Sequence, residues 1–216
     1  MTKIKIAPSI LSGDFANMGK TVEDVQKWGG DYIHFDVMDG VYVPNLTFGM
    51  PMCRAIRKHT DLPIDAHLMI VEPEKYVEQF CDSGADIVTF HPEASKDVAG
   101  TLAKIKAKGK RCGLVLNPDK EVELILPYLD QVDMIVLMGV FPGFGGQKFI
   151  PSVLNKIERV AMLIQASGRA IELELDGGVT EQNAAEMREK GVTVLVGGSS
   201  VFRSPDPQTT IERLRG

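Results

Sequence analysis

The amino-acid sequence predicts an α/β protein of the (β/α)8 barrel type, a single domain over residues 1–216. Three observations predict it. A chain of 216 residues, 44% hydrophobic and 25% charged, can bury one sizeable core and falls in the length range of one such barrel. Apolar, β-rich runs alternate with amphipathic stretches in a regular order, as parallel strands joined by helices do. The polar residues collect at the C-terminal ends of those runs. A closed barrel brings such residues to one rim, whereas an open doubly wound sheet, which shares the alternation, strings them along an edge.

Eight strand-helix units are read in order. Ile4 to Ser9 is the first expected strand, followed by Phe15, Met18, Val22 and Val25 at helical spacing and by the Gly29-Gly30 turn. Tyr32 to Met38 is the second and carries His34 and Asp36. Ile64 to Met69, the third, carries His67 and is broken off by Glu72-Pro73. Val77, Phe80 and Cys81 then share a helical face, Gly84 turns the chain, and Ile87 to His91 forms the fourth, leading to Glu93. Gly109 and Asn117-Pro118 frame the fifth, Arg111 to Asn117. Met134 to Met138 is the sixth, with Leu154, Ile157 and Val160 at helical spacing behind it. Ile171 to Asp176 is the seventh, with Thr180 as candidate N-cap of a helix over Glu181 to Lys190 and a turn at Gly191. Thr193 to Gly198 is the eighth, and Ser204-Pro205-Asp206-Pro207 precedes the last helix. Several runs are continuously apolar, which suits strands covered on both faces. No linker or composition shift divides the chain.

The net charge of -5 and the scattered Lys and Arg residues offer no basic surface for a phosphate backbone, so nucleic acid is not an expected partner. The longest apolar stretch, Met134 to Val140, is too short to span a bilayer, and the chain opens on a strand-like run instead of a signal peptide. A soluble, cytoplasmic protein without a membrane partner is expected. Cys53, Cys81 and Cys112 are odd in number and widely spaced, fitting neither a disulfide framework nor a zinc ribbon, and are expected to be reduced, small buried hydrophobes.

Chemistry is expected at the rim. Alternation along a strand points His34 and Asp36 to one side, so one strand offers an imidazole and a carboxylate to one ion. A His-x-Asp pair alone is more often a structural hydrogen bond. With His67 from the third strand and Asp176 from the seventh it becomes a two-His, two-carboxylate set that suits zinc, iron(II), manganese or cobalt. An ion chelated by a carbonyl oxygen and the neighbouring hydroxyl would stabilise an enediolate. Asp36 and Asp176 would then remove and return a proton on two faces of the substrate. The plainer reading of Asp176 is the start of the Gly177-Gly178 turn.

A second cluster is glycine-rich: Pro142 to Gln147, with Gly145 and Gly146, after the sixth strand, Asp176-Gly177-Gly178 after the seventh, and Gly198-Ser199 after the eighth. Glycine lets backbone N–H groups approach an anion closely, and phosphate sites recur at these late loops in this architecture. Met38, Met69 and Met138 end rim strands, and beyond ordinary gap-filling they could wall the pocket against water. His91 with Glu93 is expected to make a structural hydrogen bond, and His59 is read as a solvated loop residue.

Together these residues resemble the ribulose-phosphate 3-epimerase family. The resemblance runs from Ala7-Pro8-Ser9-Ile10-Leu11 through His34 to Gly40, Val43-Pro44-Asn45, His67-Leu68-Met69, Pro142 to Gln147 and Asp176-Gly177-Gly178 to Gly198-Ser199, essentially the whole chain. It implies a barrel of the ribulose-phosphate-binding type and one divalent ion per subunit, zinc or iron(II) first, with manganese, cobalt or magnesium as alternatives. It implies ligation by His34, Asp36, His67 and Asp176, with the two aspartates as acid and base at carbon 3 of D-ribulose 5-phosphate and D-xylulose 5-phosphate. It places Ser9, His67, Met38, Met69 and Met138 at the substrate and Gly145, Gly146, Gly177, Gly178, Gly198 and Ser199 around its phosphate, and it implies a homo-oligomer. The chain departs from the family at Gly139-Val140-Phe141, where a small hydroxyl residue, Val and a polar or acidic residue are usual. That departure keeps interconversion of D-allulose 6-phosphate and D-fructose 6-phosphate as the nearest alternative. A decarboxylase of the same barrel group would need Lys where Met38 stands in Asp36-Val37-Met38-Asp39, and a non-catalytic sugar-phosphate binder would show no dependence on metal.

Overall fold

The computed structural model describes residues 3–216, so the first two residues of the expected domain lie outside it. Eight strands form one parallel sheet: β1 (Lys5–Pro8), β2 (Ile33–Met38), β3 (Ile64–Met69), β4 (Ile87–Phe90), β5 (Arg111–Leu116), β6 (Met134–Met138), β7 (Glu172–Asp176) and β8 (Val194–Gly197). Sequential neighbours pair from β2 to β8, and β8 pairs with β1. A bridge between Ser9 and His34 joins the two end strands, so the sheet curls into a nearly closed barrel. The strands lie where the sequence places them, trimmed by a residue at some ends. Ser9, His91, Asn117 and Gly198 stand just past the last ladder residue of their strands, where side chains are free to turn into the rim.

Helices cover the outside: α1 (Met18–Lys27), α2 (Met50–Ile56), α3 (Val77–Asp82), α4 (Val98–Ala107), α5 (Val153–Ser167), α6 (Ala184–Glu189), α7 (Ser199–Phe202) and α8 (Pro207–Arg215). Between β5 and β6 the connection is made by two 3-10 turns, Val122–Leu124 and Leu126–Tyr128. Pro at 118 and 127 interrupts the helical pattern there. One apolar layer lies between strands and helices and includes Val22 and Val25 of α1 with Ile33 and Phe35 of β2. A second, smaller cluster of Ala7, Val115, Met134, Val136, Val194 and Val196 comes from alternate strand residues and fills the barrel interior.

Two local expectations are corrected. Phe15 belongs to a 3-10 turn ahead of α1, is half exposed, and rests its ring 4.6 Å from that of Phe48 instead of on the sheet. The helix expected from Glu181 starts only at Ala184, because Asn183 takes the Thr180 N–H on its Oδ1 and donates Nδ2 to the Gly178 carbonyl, holding residues 180–183 as a turn. Asp206 caps α8 as the Ser204-to-Pro207 run suggests, accepting the Thr209 N–H. Among the described residues no helix is long and apolar enough to cross a membrane.

Candidate metal centre and its cavity

His34 and Asp36 leave β2 on its inward face, and the β2–β3 register sets His34 beside Asp65 and Asp36 beside His67. Asp176 ends β7. One ligand atom from each of His34, Asp36, His67 and Asp176 lies within 4.8 Å of all the others. Asp36 Oδ1 is 3.3 Å from His34 Nε2 and 3.2 Å from His67 Nδ1. Asp176 Oδ2 is 3.6 Å and 3.5 Å from the same two nitrogens. A four-coordinate ion with bonds of about 2.0–2.1 Å spaces its ligands about 3.4 Å apart, so these separations fit a divalent ion. Among the described residues His34 Nε2 is buried with no hydrogen-bond partner, which suits a nitrogen reserved for an ion.

The surroundings favour a cation. Burial opposes charge on His34, but the carboxylates of Asp36 and Asp176 outweigh it and hold the imidazole well above its ordinary pKa. His67 is raised against the same burial by its bonds to Asp176 and Asp36. Burial pushes the two aspartates up, and in each the imidazoles reverse the effect, leaving both below the ordinary carboxylate value. A dication at the centre satisfies the same negative field without protonating either ring.

Behind this group stand residues that the sequence reading did not single out. His34 Nδ1 lies 2.8 Å from Asp65 Oδ2, so the carboxylate takes the ring hydrogen and leaves Nε2 with its lone pair inward. Glu174 is also fully buried, 3.4 Å from His34 Nδ1, and burial beside Asp65 pushes its carboxyl well above the usual range. The signal was available: Asp65 and Glu174 each sit two residues before a ligand on the same strand, hence on the same inward face.

Above the four donors lies a cavity of about 430 Å³, within the range of small-ligand sites. Ser9, Asp36, Met38, Met69, Met138 and Asp176 line it. Ser9 Oγ donates to Asp36 Oδ2 at 2.5 Å, the carboxylate oxygen that does not face the two imidazoles. The three methionines are almost fully buried and wall the carboxylates. His67 has no exposed surface, is not among the residues lining the cavity, and sits with Nδ1 3.2 Å from Asp36 Oδ1 and 3.5 Å from Asp176 Oδ2. Gly145, Gly146, Gly177, Gly178, Gly198 and Ser199 all line the cavity too, joined by Ser12 and Arg203. The loop after β6 is held in shape by Gln147, which donates to the Phe141 and Phe144 carbonyls, and is tied to the loop after β2 by Asn45 donating to the Gly143 carbonyl at 2.8 Å.

Gly139 and Phe141 are absent from the lining. A Cβ on Gly139 would meet the Gly177 carbonyl oxygen at 2.2 Å and the Phe149 ring at 2.9 Å, so glycine here serves the close approach of β6 to β7. Phe141 is 52% exposed. His91 is buried beneath the ring of Tyr42, 4.7 Å away, and Glu93 accepts from Tyr42 and Asn117 instead of from His91. His59 closes a 3-10 turn after α2, half exposed, and pairs with Glu23 at 2.9 Å. Cys53, Cys81 and Cys112 are free and buried, and burial pushes their thiols up to about 12, 11 and 12.

Solved structures of low identity share the architecture. 3-Hexulose-6-phosphate synthase from Salmonella typhimurium superposes with a TM-score of 0.75 at 18% identity, over 98% of this chain and 97% of that one. A tryptophan synthase α-subunit from Pyrococcus furiosus gives 0.72 at 12%, over 99% of each. Sequence relatives are nearer. The ribulose-phosphate 3-epimerase of Bacillus subtilis is 47% identical over 214 residues, 99% of both chains, and that of Escherichia coli K12 is 44% identical over 216 residues, 100% of this chain and 96% of that one. The sequence profile described as the Ribulose-phosphate 3 epimerase family matches residues 5–202, which span every strand of the barrel. With a match of that extent and relatives of that identity, the chain belongs to the ribulose-phosphate 3-epimerase family.

Proposed function

We propose that this chain interconverts D-ribulose 5-phosphate and D-xylulose 5-phosphate by exchanging the proton at carbon 3 between two aspartates beside a divalent ion. The observation that carries the reading is the set of four ligand atoms, two imidazole and two carboxylate, gathered within 4.8 Å, with both aspartates lining a cavity that glycines of the late loops line as well. His34, Asp36, His67 and Asp176 would hold the ion, and zinc or iron(II) suits that donor set. When bound, the ion supplies a positive charge against which negative charge on neighbouring substrate oxygens is stabilised.

The protein's own groups do the rest. Asp36 and Asp176 reach the cavity from β2 and β7 and can each take or give a proton at carbon 3, one from each face of the sugar. Ser9 fixes the Asp36 carboxylate through its hydrogen bond. Met38, Met69 and Met138 keep water from the reacting carbons. The backbone N–H groups of the glycine loops, with Ser199 at the start of the short α7, would receive the phosphate. Neither Gly139 nor Phe141 borders the cavity, so the departures from the family pattern give no support to a longer sugar.

The test is turnover of D-ribulose 5-phosphate in deuterated water before and after chelation. The expected result is product carrying deuterium at carbon 3, loss of turnover when the ion is stripped, and recovery when a divalent ion is returned. Product that keeps its original hydrogen at carbon 3 would overturn the two-base assignment.

A further inference from the structure

The nitrogen of His67 that faces away from the aspartates has a partner that the proposed reaction does not use. His67 presents Nδ1 to Asp36 and Asp176, and its Nε2 lies 3.0 Å from Nε2 of His91. A neutral imidazole has one N–H, so a lone pair at Nδ1 for an ion requires the hydrogen at Nε2. That hydrogen then points at His91, which can accept it only with a lone pair at its own Nε2 and its hydrogen at Nδ1. Every part of this arrangement is confined: His67 and His91 have no exposed surface, and their ring centroids are 5.1 Å apart. Tyr42 covers the His91 ring and is itself held by Glu93 and Asn117. Among the described residues His91 Nδ1 is buried with no hydrogen-bond partner, so the one polar contact of this ring there is the one to His67. A buried histidine kept for a single bond to a ligand histidine calls for a role at that bond.

We infer that His91 is a positioning residue for the metal centre: its Nε2 lone pair accepts the His67 Nε2–H, fixing the tautomer and ring orientation that turn His67 Nδ1 toward the ion. The two ligand histidines are thereby supported differently. His34 gives its outer hydrogen to the Asp65 carboxylate, and His67 gives its own to a neutral ring. Ligand histidines ordinarily donate to a carboxylate, a backbone carbonyl or water, and removing such a partner typically costs 10–100-fold in metal affinity. The inference rests on the metal reading of the site.

The experiment uses the full chain stripped of metal and titrated with cobalt(II) against a competing chelator, following the visible absorption of the bound ion. Variants are His91→Leu, which removes the acceptor, and His91→Gln, whose amide oxygen can stand where Nε2 stands. Leu should weaken cobalt(II) binding about 10–100-fold and alter the absorption bands, while Gln should restore both to near the unaltered values. Unchanged affinity and spectrum in Leu would overturn the inference, as would equal losses in Leu and Gln, which would mean that ring volume alone matters. Should Leu fail to fold, as judged by circular dichroism, His91→Asn takes its place, because its shorter amide cannot reach His67 Nε2, and the same losses are expected. Failure of the unaltered chain to bind cobalt(II) would instead overturn the metal reading, and this inference with it.

Discussion

Asp36 and Asp176 face the same two imidazoles but differ in what else they touch. Asp36 has 5% of its side chain exposed and takes the Ser9 hydroxyl, whereas Asp176, 13% exposed, opens more to the cavity. Both sit below the ordinary carboxylate pKa, because the imidazoles outweigh burial, and in the proposed exchange the one that takes the proton is ionised while the other carries the proton it returns. Asp176→Asn keeps the shape of the side chain and removes its capacity to hold the proton. Turnover should fall by about 10²–10⁴-fold with circular dichroism unchanged, and an active Asp176→Asn variant would remove its role as a base. The four proposed ligands were legible in the sequence because each is polar at the end of an otherwise apolar run. Asp65 and Glu174 were legible only as inward-facing residues, and the bond between His67 and His91 was not legible at all. Strand alternation gives the face a residue points to, but choosing partners for His34 and His67 requires the β2–β3 and β3–β4 registers, which depend on packing between strands.

At the scale of elements, the rim is shaped by how closely β6 and β7 approach as they leave the sheet. The Gly139 N–H donates to the Asp176 carbonyl at 2.6 Å, and the Gly139 carbonyl accepts from Ile150. Across this junction Gly178, at φ +70, sits against the backbone of Phe149, where a Cβ would come within 2.5 Å. The sequence marks Gly178 as a turn and anion-site signal and Gly139 as a departure from the family pattern. What it does not reveal is that Gly139 is a matter of packing, since a missing hydroxyl and a required close approach look the same in one dimension. Gly139→Ser should therefore act on stability and not on substrate choice. Its Cβ must displace the Gly177 backbone, a strain of about 1–3 kcal/mol readable as a lower denaturation midpoint at unchanged slope. The ratio of turnover on D-ribulose 5-phosphate to that on D-allulose 6-phosphate should stay constant, and a shift in that ratio would return Gly139 to the cavity wall. Helix α6 gives the same lesson: Thr180 satisfied the pattern of an N-cap, but Asn183 had a carbonyl and an amide within reach and took the turn for itself.

Across the whole molecule the barrel divides its charges between two ends. The C-terminal rim gathers the site, and the opposite end is closed by Glu172, which pairs with Lys5 and with Arg111 at 2.6 Å and accepts from Tyr32 at 2.9 Å. Glu172, Lys5 and Arg111 open β7, β1 and β5, and Tyr32 immediately precedes β2, so one carboxylate ties together distant parts of the sheet. Burial pushes the Glu172 carboxyl up, but Lys5 and Arg111 outweigh it and leave it below its ordinary value of 4.5. A carboxyl that is more acidic folded than unfolded stabilises the fold at pH above its unfolded value, and that stability is lost as pH falls through the folded value. Glu172→Gln should thus cost about 1–2 kcal/mol at pH 7, the modest figure reflecting solvent at the half-open cluster. The cost should shrink steadily as pH drops below 4.5, where the unaltered carboxyl also loses its charge. Turnover of the folded variant at 25 °C should match that of the unaltered chain, because the substitution lies at the end of the barrel away from the cavity. A penalty of equal size at pH 3 and pH 7 would show that side-chain packing, and not the carboxylate, holds this end closed.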